Sequence, residues 1–159
     1  MATLEQVLAD YGPALARIAS SYERDRSLRD ELVQEIAVAV WRSLPNLQDP
    51  ARLRPFVFRI AHNRAVSHVA RQAGRPRQDE LSERLADAGP DPEASLLARE
   101  RSDRLVEAVR RLPLPYRQVI TLVLEDLSYD EIGEALGLTS TNVGVRINRA
   151  RAQLKAMLA

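Results

Sequence analysis

Apolar residues recur at the three- and four-residue spacing of an α-helix along almost the whole chain. No segment alternates apolar and polar residues as a half-buried strand would. The first predicted helix begins after Thr3. Gln6 follows Thr3 by three residues, which is the spacing of a capping box. Its apolar positions are Val7, Leu8, Tyr11, Leu15 and Ile18. The pattern therefore predicts an all-α fold.

Two more helices are predicted before residue 73. One runs from about Ser27 to Leu44, where Pro45 stops it, and the other runs from about Leu53 to Arg71. The second can pass Pro55, because a first-turn residue needs no N–H donor. Asp49-Pro50 marks a turn between them. The apolar stripe of the earlier helix is Leu28, Leu32, Ile36 and Val40.

Glycine, proline and mixed charge interrupt the pattern between residues 73 and 92. Asp91 and Pro92 then suit the cap and first position of a new helix that reaches Leu112. Further helices are predicted at about Tyr116–Glu125, Tyr129–Leu136 and Ser140–Met157. The predicted organisation is two small helical domains, residues 1–72 and 93–159, joined by a flexible acidic linker, residues 73–92.

The last two predicted helices have the signature of a helix-turn-helix. Ser128 and Glu131 form a capping box, Gly137 suits a left-handed helix end, and Thr139 caps the next helix. Gly133 leaves room for the close approach of the two helices. The same pattern also occurs as a plain packing motif, so the final helix has to distinguish these interpretations.

The final helix separates an apolar face from a polar one. The inward face is predicted at Val143, Ile147, Ala150, Leu154 and Leu158. The outward face is predicted at Thr141, Val145, Asn148, Arg149 and Ala152, flanked by Arg146 and Arg151. Asn and Arg can contact base edges at two points, and the flanking arginines suit phosphates. The alternative is a merely solvated face.

The formal net charge of +1 conceals segments of opposite sign. Residues 52–77 contain seven arginines and no acid, residues 79–93 contain six acids against Arg84, and residues 146–159 contain four basic residues and no acid. Two basic segments separated by an acidic one suggest two nucleic-acid contacts and a connector. Solvated helix faces would explain the same charges.

Several protein classes are disfavoured. The chain has no cysteine, no apolar run of membrane-spanning length and no signal-peptide pattern, so we expect a cytoplasmic protein with no membrane span. His62 and His68 lie about 240° apart around one helix and cannot share a metal. Without a strand there is no phosphate-binding strand–loop–helix unit. We expect no enzyme activity, no cofactor and no metal.

The C-terminal residues resemble region four of extracytoplasmic-function sigma factors. The resemblance lies in Leu112–Pro113, Arg117–Val119, Leu127–Gly133 and Asn142–Arg151. It implies that the last helix reads the promoter −35 element, through Ser140, Thr141, Val145, Arg146, Asn148, Arg149 and Arg151. One departure is Gly144, where many members carry a basic residue.

The N-terminal residues resemble region two of the same family, in Leu32–Glu35, Ala39–Trp41 and Phe58–Asn63. The resemblance implies a surface for core RNA polymerase at Glu31, Gln34, Glu35, Val38, Trp41 and Arg42. It implies a −10 DNA site at Leu47, Arg59, Asn63 and Arg64, with the loop Leu47–Leu53. Phe56 and Phe58 are the aromatic candidates for stacking bases. Trp41 could instead be ordinary core.

The expected function is an alternative sigma factor that binds core RNA polymerase and promoter DNA. The family also implies an anti-sigma factor as a partner. Two alternatives stay open at this point: a stand-alone helix-turn-helix regulator, and a sigma-like interaction module that titrates a partner. Arg59, Arg64 and Arg149 disfavour the second alternative, because a module that binds only protein has no need of them.

Overall fold

The computed structural model describes residues 2–74 and 92–159, and the side chains of the second range from residue 96. The described residues form seven α-helices and no strand, which confirms the all-α prediction. The helices are α1 Leu4–Tyr22, α2 Arg26–Ser43, α3 Leu53–Gln72, α4 Pro92–Arg111, α5 Leu114–Leu124, α6 Tyr129–Leu136 and α7 Ser140–Leu158. Short 3-10 turns, Leu44–Asn46 and Pro50–Arg52, lie between α2 and α3. The predicted linker residues 75–91, including the cap Asp91, lie outside the described residues.

Residues near the start of each of the first three helices explain where the helix begins. The Thr3–Gln6 capping box is present, with both hydrogen bonds formed. The α2 helix begins one residue earlier than predicted, because the carboxylate of Asp25 accepts the N–H of Leu28. The α3 helix passes Pro55 in its first turn as predicted, and that residue is buried.

Most of the predicted apolar stripes face the core. Within α1 and α2, the residues Val7, Leu15, Ile18, Leu32, Ile36 and Val40 are buried. Leu8 is an exception and lies at the surface, because its neighbour Val7 takes the inward position at that turn. Leu28 and Tyr11 are half-buried. The ring of Tyr11 packs edge-on against Phe58 at a centroid distance of 5.9 Å.

The α5 helix begins two residues before the predicted Tyr116. The reason is Pro115, which lies in the first turn, where a missing N–H breaks no helical hydrogen bond. The other helices of this part follow the prediction, and α6 spans the predicted Tyr129–Leu136.

The two parts of the chain pack against each other. We call residues 2–74 the N-terminal half and residues 92–159 the C-terminal half. In the packing, α1 contacts α4 and α5, and α3 contacts α6. Buried side chains of both halves belong to one hydrophobic cluster. The sequence predicted the helices but not this docking.

Candidate polymerase-binding and DNA-binding surfaces

The helix-turn-helix of α6 and α7 is built by its caps. The hydroxyl of Ser128 accepts the N–H of Glu131 at 3.1 Å, and the Glu131 carboxylate accepts the N–H of Ser128 at 2.9 Å. Gly137 ends α6 at a φ of +71°, in the left-handed region. The hydroxyl of Thr139 accepts the N–H of Asn142 at 3.1 Å and starts α7. These hydrogen bonds confirm the predicted bounds.

Gly133 allows the close approach between α6 and the turn that follows it. A Cβ atom at this position would lie 2.5 Å from the carbonyl oxygen of Leu138. That backbone atom cannot move away freely, because the N–H of Leu138 donates to the carbonyl of Gly133 at 2.9 Å. The predicted need for space is confirmed, and it comes from the turn backbone.

The α7 helix presents the predicted polar face to solvent. Its outward residues Thr141, Val145, Asn148, Arg149 and Ala152 are all exposed. On the other face Val143, Ile147 and Ala150 are buried, and Leu154 is half-buried. Leu158, predicted to face inward, is exposed at the last turn of the helix, beyond the packed part of α7. The exposed polar face of α7 therefore extends for about three turns, from Thr141 to Ala152.

The remaining predicted −35 residues differ in their surroundings. The hydroxyl of Ser140 donates to the carboxylate of Asp130 at 2.6 Å, which fixes its orientation. Arg146 is half-buried, whereas Arg149 and Arg151 are exposed. None of these three arginines forms an ion pair with another described residue. Their charge is therefore available to an anion.

Gly144, the departure from the family pattern, lies beside one edge of the ring of Tyr129. A Cβ atom at Gly144 would be 3.5 Å from the edge of that ring, an ordinary contact distance. Tyr129 itself is 43% exposed. An aromatic ring thus borders α7 at this position.

Most of the residues predicted to bind polymerase lie on the exposed face of α2. Trp41 is 59% exposed and Val38 is 45% exposed, so the alternative in which Trp41 is core is wrong. Glu31, Gln34 and Arg42 are exposed as well. Large apolar side chains exposed among charged ones are typical of a protein-binding surface.

A shallow hollow of about 430 Å³ lies between α2 and α3. Five of the six predicted polymerase residues line it, and Trp41 is the exception. Arg64, predicted for −10 DNA, lines the same hollow, and Arg71 on that side of α3 forms an ion pair with Glu35 at 2.8 Å. Arg64 thus lies where the two predicted surfaces meet.

Arg59 and Asn63 lie one helical turn apart on α3, and both are exposed. Leu47, at the start of the predicted loop, is half-buried. Phe58 is only 2% exposed, so it cannot stack on a base, and that part of the prediction is wrong. Its ring fills the core against Tyr11 instead. Phe56, also packed against the core, is half-buried.

A buried polar cluster joins the halves near the centre of the protein. The Tyr22 hydroxyl and Nδ1 of His62 lie 3.0 Å apart, and Nε2 of His62 lies 3.3 Å from the Thr121 hydroxyl. The guanidinium of Arg117 lies over the Tyr22 ring, 5.4 Å from its centroid. Burial lowers the pKa of His62 to about 3 and raises the pKa of Tyr22.

Sequence reasoning did not identify the residues by which the halves hold each other. Arg17, Arg24, Arg52 and Arg54 all reach carboxylates or a carbonyl of the C-terminal half. Their partners lie more than 70 residues further along the chain. The run of arginines from residue 52 was a signal for Arg52 and Arg54, and it does not specify a partner.

Two classes of site are not found in the part of the chain that the structure describes. No helix within residues 2–74 and 92–159 is long and apolar enough to span a membrane. The described residues contain no group of three or more potential metal ligands. His68, the second histidine, lies 2.7 Å from a carboxylate oxygen of Glu23.

Comparison with known proteins identifies a sigma-factor region in each half of the chain. The family model for Sigma-70 region 2 matches residues 7–75, and the model for Sigma-70, region 4 matches residues 102–154. The RNA polymerase sigma factor NccH of Alcaligenes xylosoxydans xylosoxydans is 32% identical over 162 residues, covering 96% of this chain and 85% of that protein. The chain belongs to the extracytoplasmic-function sigma factor family.

Two further comparisons agree with this assignment. The ECF RNA polymerase sigma factor SigE of Mycolicibacterium smegmatis is 31% identical, and the match covers all of this chain and 63% of that protein. A solved structure of CnrH in complex with the cytosolic domain of CnrY has a TM-score of 0.70 and 30% identity, and covers 98% of this chain and 86% of CnrH. The chain is thus an alternative sigma factor that directs transcription. Sigma factors are not enzymes.

The match of both halves also decides between the earlier alternatives. A stand-alone regulator needs a helix-turn-helix but no region two, whereas this chain matches region two over residues 7–75. This match disfavours the stand-alone regulator, and the sigma-factor relatives favour the sigma-factor interpretation over the interaction module.

Proposed function

We propose that the exposed α2 face is the surface by which this sigma factor binds core RNA polymerase. The observation that carries the proposal is the exposure of Trp41 beside Val38, among Glu31, Gln34 and Arg42. Burying a large exposed aromatic ring is a common source of binding energy at protein interfaces. Glu35 belongs to the same surface and lines the adjoining hollow.

We infer that α7 binds the −35 major groove and that α3 with the 47–53 loop binds −10 bases. In α7, Asn148 and Arg149 suit base edges, and Arg146 and Arg151 suit phosphates. In α3, Arg59 and Asn63 share an exposed face suited to an unpaired base. This division gives residues 1–72 to polymerase and the −10 element, and residues 93–159 to the −35 element, with residues 73–92 as linker.

This function requires the halves to separate. Elements at −10 and −35 are about 25 base pairs apart, or roughly 80 Å at 3.4 Å per pair. A compact chain of this length has a radius of gyration of about 15 Å and is about 40 Å across. The 17 residues between 74 and 92 can extend to about 60 Å. The docked arrangement is therefore the unbound form, and the linker is long enough for the bound one.

The proposal extends to partners and location. We infer a cytoplasmic location, because the proposed partners, core polymerase and promoter DNA, are in the cytoplasm. An anti-sigma factor would block the same surfaces, and the complex of CnrH with CnrY supports a protein partner of this kind.

Size-exclusion chromatography with purified core RNA polymerase tests the polymerase surface. Wild-type chain should co-elute, and Gln34→Ala combined with Trp41→Ala should not. Leu8→Ala is the matched control, because Leu8 is an exposed apolar residue outside the proposed surface. Equal co-elution of the double variant would refute the assignment of this surface.

Promoter binding by the holoenzyme tests the two DNA surfaces. Arg149→Ala should weaken binding by about 1–3 kcal/mol and relax the −35 preference while leaving polymerase binding unchanged. Asn63→Ala should leave −35 binding intact and slow strand opening. An unchanged opening rate would exclude Asn63 from the −10 site.

A further inference from the structure

Ser140, the first residue of α7, is hydrogen-bonded to a side chain of α6. Its hydroxyl donates to the carboxylate of Asp130 at 2.6 Å, and both residues are exposed. In helix-turn-helix proteins the N-terminal residues of the second helix contact base edges in the major groove. The Asp130–Ser140 pair therefore lies at the part of the motif where a base pair would be met.

Both ends of this hydrogen bond are held by fixed parts of the helix-turn-helix. Asp130 lies in the first turn of α6, which a capping box closes. Ser140 directly follows Thr139, the cap of α7. Between the helices, the N–H of Leu138 donates to the carbonyl oxygen of Gly133 at 2.9 Å. The fold therefore sets the orientation of the Ser140 hydroxyl.

The hydrogen bond restricts what Ser140 can offer to another molecule. A hydroxyl has one hydrogen to donate and two lone pairs that accept. Because Asp130 takes the hydrogen, the Ser140 oxygen presents only its lone pairs. A free serine can pair with any base because it can donate or accept. With Asp130 beside it, Ser140 can only accept, so it binds favourably to donors alone.

The carboxylate of Asp130 has a second consequence for DNA binding. Among the described residues Asp130 takes part in no ion pair. A carboxylate without a neighbouring cation repels the phosphates of DNA. A hydrogen bond to an ionised acceptor is also stronger than one between neutral groups, so it keeps the hydroxyl from rotating. We therefore expect Asp130 to lower the affinity for DNA in general while raising selectivity.

We propose that Asp130 is a positioning residue that holds Ser140 as a hydrogen-bond acceptor, and that Ser140 thereby selects a cytosine in the −35 element. In the major groove cytosine presents an amino donor and no acceptor. Adenine presents an acceptor beside its donor, and guanine and thymine present acceptors. The proposal rests on the proposed binding of α7 to the −35 major groove, and it adds Asp130 to that surface.

Holoenzyme made from the full chain and core RNA polymerase provides the test. Selection from promoters randomised at −35 defines the preferred sequence, and binding is then measured for each base at each selected pair. Ser140→Ala should reduce the preference at one pair, and that pair should be C·G in wild type. Wild type should prefer this pair over T·A by about two- to twelvefold more than Ser140→Ala does, the range for one hydrogen bond. A T·A or A·T pair there would overturn the assignment of cytosine.

Two substitutions of Asp130 form a matched comparison. Asp130→Ala and Asp130→Asn remove the same charge, but only the asparagine oxygen can still accept from the Ser140 hydroxyl. Both variants should bind the selected promoter about two- to threefold more tightly at low salt, because one negative charge is gone. Asp130→Ala should also bind the T·A promoter better, since the freed hydroxyl can donate to thymine O4. The base preference of Asp130→Asn should fall between those of wild type and Asp130→Ala.

The outcomes separate this inference from the proposed function. Asp130→Ala combined with Ser140→Ala should have the base preference of Ser140→Ala alone, because Asp130 acts through that hydroxyl. A misfolded variant would bind both promoters less well, so tighter binding to the T·A promoter is specific to the positioning role. An unchanged preference for C·G in Asp130→Ala would overturn that role. A wild-type holoenzyme that selects no −35 sequence would overturn the proposed role of α7 and this inference with it. A clear −35 sequence that Ser140→Ala leaves unchanged would overturn this inference alone.

Discussion

Lowering the pH from 7 to 5 should destabilise the folded chain through His62. The imidazole is buried between Tyr22 of α1 and Thr121 of α5, 3.0 and 3.3 Å from their hydroxyls. The Thr121 hydroxyl donates to backbone carbonyls, so its oxygen accepts from Nε2–H, and Nδ1 accepts from the Tyr22 hydroxyl. A proton on Nδ1 would remove that acceptor and leave a charge buried in the interior of the protein.

The sign and size follow from proton linkage. The ordinary pKa of histidine is 6.5 and that of folded His62 is about 3. Below pH 6.5 the unfolded chain binds a proton that the folded chain does not, so the free energy of unfolding falls by about 1.4 kcal/mol per pH unit. Between pH 7 and pH 5 the loss is about 2 kcal/mol, provided the folded pKa stays below about 4. This loss is a substantial part of the stability of a typical domain.

Urea unfolding followed by circular dichroism at pH 7 and pH 5, at constant ionic strength, measures the loss. His62→Gln is the comparison, because glutamine can hydrogen bond but does not titrate. The variant will be less stable at pH 7, but its loss between the two pH values should be about 2 kcal/mol smaller than that of wild type. Subtraction cancels the contributions of all groups that are the same in both proteins. Equal pH dependence in both proteins would refute the role given to His62.

Two other predictions concern α6 and α7. Gly133→Ala should lower the free energy of unfolding by about 1–3 kcal/mol because its Cβ would overlap the Leu138 carbonyl, whereas Gly144→Ala, with ordinary contacts, should be neutral or stabilising. Thermal unfolding of the two variants measures the difference. Similar losses of stability in Gly133→Ala and Gly144→Ala would contradict the packing argument. Val145 is 42% exposed on the face of α7 that we propose binds the −35 element, and it is expected to contact a thymine methyl group. Replacing thymine by deoxyuridine in a selected −35 duplex should weaken wild-type binding and leave Val145→Ala unaffected; equal effects on both would contradict the contact.

The sequence by itself determined the elements, because their signals are local. A cap needs a hydroxyl or carboxylate three residues from a backbone N–H, so Thr3, Ser128 and Thr139 act within one turn. The polar face of α7 is equally local, since periodicity alone separates it from the buried face. The resemblance to regions two and four also rested on short local segments, and it was confirmed.

Burial of individual aromatic residues was decided by the tertiary structure. Phe58 and Trp41 are both aromatic residues within predicted helices, yet Phe58 fills the core against Tyr11 and Trp41 is exposed. Which of them is covered depends on how α1, α2 and α3 pack together, and periodicity on one helix does not contain that information.

The docking of the halves also belongs to the tertiary structure alone. Arg52 and Glu134 are 82 residues apart, and Arg17 and Glu125 are 108 residues apart. Each side chain by itself is typical of a solvated helix face. Only the folded chain brings these arginines and glutamates together, because Coulomb attraction depends on the distance in space and not on the separation along the chain.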